Sequence, residues 1–149
     1  MFGSEITAAV VVRELGSLPA VISTVGDRLL ASTYVPLDED VPALLTYAED
    51  APYAEGPIGS RLSGPIASQN VRQIVRIVCE GRSTDPIYDA AVAQLDHLDG
   101  ERFDFVSRGR SYLLTFTAVG EVPLNTLQEE NVDYRQLGNI YGVEVTRGG

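Results

Sequence analysis

Few residues in this chain have the type and spacing that chemistry needs. His97 is the single histidine, with Asp96 and Asp99 close by. One imidazole excludes a histidine metal cluster, and a position late in a helix suits a cation at that helix's negative end. A Ser–His–Asp triad would need a turn to present its serine, and the sequence contains no G-x-S-x-G elbow. It also has no Walker loop, G-x-G-x-x-G, C-x-x-C or H-E-x-x-H. The carboxylate pairs Glu49-Asp50 and Glu129-Glu130 could do acid–base work only where burial shifts their pKa, and loop sequence gives no such hint. Asp38, Glu39 and Asp40 sit together between Pro36 and Pro42. Metal loops space their ligands so that carboxylates converge, so this run reads as a solvated turn. Cys79 is the one cysteine; it cannot form an internal disulfide, and on the apolar side of a strand it packs as a small hydrophobe. The expectation is a protein with no catalytic residues, no metal and no cofactor, with a small acidic enzyme or ligand-binding domain as the minor alternative.

Bulk properties narrow the class further. A chain of 149 residues, 44% hydrophobic, is one domain with enough apolar material for a core. Its net charge is −10, and all eleven basic residues are arginine. That balance argues against gripping a nucleic-acid backbone as a main activity. No apolar run approaches the roughly 20 residues of a membrane span. The first residues carry Glu5 and no basic cluster, so a signal peptide is not expected.

The element that must position everything else runs from Gln69 to Gly100. Val71, Val75, Ile77 and Cys79 recur at every second position, which predicts a strand over 69–80. Arg72, Ile74, Arg76 and Val78 give its other face a mixed character. Asp85-Pro86 then starts a helix, with Asp85 expected to cap it. Ile87, Ala91, Leu95 and Leu98 form its apolar stripe, and Gly100 ends it. A strand feeding such a helix implies a sheet with helices on one side.

Around that pair, Ile6–Leu18 predicts a helix with Ser4 as a possible cap, and Ala20–Val25 a further short turn. Arg28–Tyr34, Ala43–Tyr47, Arg102–Val106, Ser111–Val119 and Tyr134–Thr146 predict strands, the third and fourth as a hairpin. Gly138 and Gly142 suggest a bulge or bend in the last. Residues 51–68 hold three prolines and three glycines, so no regular element fits; the expectation is a flexible arm with Tyr53, Ile58, Arg61 and Leu62 as anchors on a neighbour. Residues 120–133 read as a second long connection. The predicted fold is a single α+β domain over 1–149, its sheet mixed or antiparallel, helices mainly on one face and long inter-strand loops.

The layout resembles the tail terminator (tail completion) proteins of long-tailed bacteriophages. The likeness rests on the V-G-D-R-L turn at Val25–Leu29, the segment from Pro42 to Tyr47, Q-x-V-R-x-x-V-R-I-x at Gln69–Val78, D-P-x-Y-D-A-A at Asp85–Ala91 and the closing Asn131–Val145. It implies a virion protein of the tail or neck, assembled in the host cytoplasm. Such a subunit forms a ring, usually a hexamer, that caps the tail tube, ends its polymerisation and meets the head-tail connector. Phage DNA would pass through the lumen unbound. A head-tail connector or a tail tube subunit is the alternative within the same setting. On this reading Tyr53, Ile58, Arg61 and Leu62 meet an adjacent subunit, and Arg72 and Arg76 pair with acids across an interface.

Overall fold

The computed structural model describes residues 2–32, 41–49, 68–123, 127–129 and 132–147. Among the described residues, three helices and seven strands form a single α+β domain. The helices are α1 (Phe2–Leu15), α2 (Pro19–Val25) and α3 (Asp85–Leu98). The strands are β1 (Leu29–Leu30), β2 (Ala43–Ala48), β3 (Ser68–Glu80), β4 (Arg102–Ser107), β5 (Arg110–Glu121), β6 (Leu127–Glu129) and β7 (Val132–Arg147). They lie in the order β1-β2-β3-β7-β5-β4, with β6 added to β7 outside that path. The β1–β2 pair is parallel and the others are antiparallel.

The long alternating strand is central, as its two-sided pattern requires. β3 pairs with β7 without a break from Ser68↔Thr146 to Glu80↔Tyr134. One face turns Val71, Gln73, Val75, Ile77 and Cys79 toward the helices. There they meet Val10, Val11 and Leu15 of α1, Val21 and Val25 of α2, and Ile87 and Leu98 of α3. Phe116 of β5 is fully buried, edge-on to Phe103 at 5.5 Å and to Tyr141 at 5.9 Å between centroids. Each large side chain buried in this layer contributes about 1.5–3 kcal/mol. The opposite face holds a smaller cluster of Leu45, Val78 and Tyr134, with Leu30, Val41 and Tyr47 against it. Farther along that face Leu113, Val119 and Val106 stay exposed.

Several local expectations are corrected. α1 begins at Phe2 rather than Ile6 and stops at Leu15, so Ser4 lies inside it. The cap comes from far away: the Gly3 N–H donates to Gln69 Oε1 at 2.7 Å. Asp85 is the first helical residue rather than the cap, and its own N–H donates to Ser83 Oγ at 3.1 Å. β1 is two residues long. The stretch after Val119 is more ordered than a connection, since β5 continues to Glu121 and β6 pairs with β7. β7 carries no bulge opposite β3; the irregularity sits in its partner β5, between Ala118 and Gly120. Gly138 has another purpose, because a Cβ there would collide with the Val75 carbonyl oxygen and lie 2.6 Å from Arg76 Cα. The backbones of β3 and β7 approach too closely there for any side chain.

The hairpin between β4 and β5 was legible. Its two turn residues, Arg108 and Gly109, have φ of 53° and 76°. Positive φ at both positions is the pattern of a type I′ turn, whose twist matches the strands it joins.

Candidate interaction surfaces

Of the six residues expected at a subunit interface, Tyr53, Ile58, Arg61 and Leu62 lie outside the described residues. Arg72 and Arg76 share the helix-free face of β3 but stand in different surroundings. The Arg72 side chain is 52% exposed, with Nε 2.8 Å from Glu49 Oε2. The two charges meet by proximity rather than through an aligned hydrogen bond. The Glu49 N–H donates to the Arg72 carbonyl at 2.7 Å, so β3 itself positions the acid. Arg76 is only 8% exposed. Its Nη1 donates to Gln136 Oε1 at 2.6 Å, and its guanidinium lies over the Tyr47 ring at 5.6 Å. Gln136 Nε2 in turn donates to the Pro123 carbonyl at 3.0 Å. Both arginines therefore have partners in their own chain, and Arg76 is an internal residue.

A chain of buried polar side chains escaped the sequence reading. The Tyr141 hydroxyl donates to Gln94 Oε1 at 2.7 Å, and Gln94 Nε2 donates to Asn139 Oδ1 at 2.7 Å. Beside it, Gln73 Nε2 donates to Thr46 Oγ1 at 2.7 Å, leaving Gln73 Oε1 buried without a hydrogen bond. Gln73 pairs with Tyr141 across the strands, so the two groups are neighbours beneath α3. The available signal was Gln73 interrupting an apolar alternation and Gln94 falling within the apolar stripe of its helix. Burial pushes the Tyr141 phenol far above its usual range; the charge of Asp99 adds to this, and the bond to Gln94 opposes it. These hydrogen bonds between neutral side chains tie α3 to β7.

Less than one turn beyond Gln94 on α3, His97 Nε2 lies 3.0 Å from Glu14 Oε1, and Arg13 Nε 2.9 Å from Glu14 Oε2. Burial works to raise the Glu14 carboxyl, but hydrogen bonds from His97 and Arg13 outweigh it and hold its pKa below the ordinary value. Arg13 also donates from Nη1 to the Asp104 carbonyl at 2.8 Å and lies over Phe105 at 5.5 Å. It thus occupies a carbonyl on the edge strand β4, one way of blunting an edge. Cys79 is buried, and burial raises its thiol, so it packs rather than reacts. No group of three or more His, Cys, Asp or Glu side chains among the described residues could hold a metal ion.

One cleft has a distinct character. Arg108 and Arg110 of the hairpin turn and Arg147 at the end of β7 line a cleft of about 360 Å³, with Glu5 of α1 among them. Ile6 and Tyr112, both under a tenth exposed, form its apolar part. Three of the chain's eleven arginines gather here.

With this geometry in hand, comparison with known proteins adds no kinship: no family model, no curated protein and no solved structure matches the chain. The fold and its surfaces define an acidic α+β domain with helices on one face of a mixed sheet.

Proposed function

We propose that this chain is a structural subunit that assembles into a closed ring, and specifically a tail terminator of a long-tailed bacteriophage. The observation that carries self-assembly is the one-sided architecture. Helices cover one face of the sheet, while the other leaves Val106 at 67%, Val119 at 55% and Leu113 at 40% exposed on adjoining strands. Val106 and Leu113 lie diagonally across the β4–β5 ladder, with Val119 farther along β5, and exposed apolar side chains on an uncovered face favour a partner over water. The tail terminator assignment adds the resemblance in layout, from the V-G-D-R-L turn at Val25–Leu29 to the closing strand. In this role the ring caps the tail tube, halts its growth and offers a surface to the head-tail connector, with DNA passing through an acidic lumen that does not hold phosphates.

The test is to add purified protein to polymerising tail tube subunits and measure tube lengths by electron microscopy. Shortened tubes with added density at one end support the reading. Unchanged length distributions, together with a monomeric mass by light scattering at every concentration, reject it. Incorporation along the whole tube would instead mark a tube subunit, whose stacking contact never closes.

A further inference from the structure

The arginine cleft is hard to explain by the needs of this fold. Arg108 occupies the first position of a two-residue turn where φ is positive, and among the described residues it is the one non-glycine with such a φ. Asn, Asp or Gly fit this position without strain. No hydrogen bond or ion pair within the described chain engages the Arg108 or Arg110 side chain. A strained backbone holding an unengaged guanidinium at a cleft points to something outside the chain.

A complementary surface exists on the same molecule. Asp85, Tyr88, Asp89, Val92 and Asp96 are all exposed on α3. At 100° per residue they form one narrow stripe, opposite the buried Ile87, Ala90, Gln94 and Leu98. The stripe carries three carboxylates, no basic residue and two apolar groups, Tyr88 at 58% and Val92 at 39% exposure. The cleft offers the guanidiniums of Arg108 and Arg110 beside Ile6 and Tyr112, with Arg147 and one acid, Glu5, on its wall. Arginine is the cation best suited to planar carboxylate recognition.

We infer that the arginine cleft of one copy receives the acidic outer stripe of α3 from a second copy. The contact joins two different surfaces, so it is heterologous and propagates head to tail until it closes. The inference rests on the ring reading and names the surfaces that would make the ring.

Two charge variants and one neutral variant test it, with mass followed by light scattering after gel filtration. Arg108→Glu with Arg110→Glu, and separately Asp89→Arg with Asp96→Arg, each weaken self-association at least about tenfold. An equimolar mixture of the two restores it, because every cleft then faces a stripe of opposite charge. Arg108→Asn relieves the turn, so it raises the melting temperature while still weakening association, a combination that a purely structural role does not produce. If the wild type assembles and these variants leave its mass and salt dependence unchanged, or the mixture fails to reassemble, the cleft–stripe contact is wrong and the ring reading survives. A wild type that stays monomeric even with tail tube present overturns both.

Discussion

Glu14 of α1 and His97 of α3 meet at 3.0 Å across the helix layer, a contact between residues 83 apart in sequence. Each is about a quarter to a third exposed, so the link is part of the surface rather than the core.

This pair sets an acid dependence. Glu14 has a folded pKa below its ordinary value of 4.5, so the unfolded chain takes up a proton first as pH falls. Its stabilisation is complete above about pH 4.5 and is lost as pH drops through the folded pKa. Glu14→Gln should flatten this part of the pH profile, removing at most about 1 kcal/mol at neutral pH, given partial exposure. Thermal melts of both proteins between pH 3 and 7 measure the difference; parallel curves would show that the contact contributes nothing.

The two arginines of β3 should behave oppositely. Arg72→Ala removes an exposed ion pair and should change stability by no more than about 0.5 kcal/mol. Arg76→Ala strips a buried guanidinium from Gln136 and Tyr47, and should cost about 2 kcal/mol or more. Urea denaturation distinguishes them; equal effects would contradict the different burial described above.

The polar network under α3 should be coupled. Tyr141→Phe leaves Gln94 Oε1 buried without its donor, at a cost of about 1–3 kcal/mol. Gln94→Leu leaves both the Tyr141 hydroxyl and Asn139 unmatched. The double variant should cost less than the sum, by about 1 kcal/mol, in a double-mutant cycle. Strict additivity would mean that the side chains act separately.

The glycines of β7 give a steric contrast. Gly138→Ala forces β7 away from the β3 backbone and should destabilise by about 1–3 kcal/mol. At Gly142 a Cβ meets Val119 Cγ1 at an ordinary 3.5 Å, so Gly142→Ala should be close to neutral. Chemical denaturation of the two alanine variants provides the comparison.

What the sequence disclosed was whatever depends on local period. β3, α3 and the β4–β5 hairpin follow from alternation, helical spacing and turn chemistry, all short-range properties. Non-local chemistry stayed hidden. Gln69 caps α1 from β3, replacing Ser4 in the expected local role. Arg76 was expected to pair with an acid at a subunit interface, and only the neighbouring strands reveal that Gln136 and Tyr47 of its own chain enclose it. Gln94 drew no notice in the sequence, and its role appears only where β7 brings Asn139 and Tyr141 beneath it. The arginine cleft combines a turn, a helix start and a strand end, which no single window of sequence contains.

The central place of β7 also governs when this molecule can exist. Its partners in β3 precede it by 54 to 78 residues, from Glu80↔Tyr134 to Ser68↔Thr146. Until β7 is made, β1–β2–β3 and the β4–β5 hairpin are two separate sheets with no shared ladder. Such long-range pairing is slow to form, and a nascent chain on the ribosome cannot complete it early. Folding therefore waits for β7, so only chains that include β7 acquire the surfaces through which copies would join.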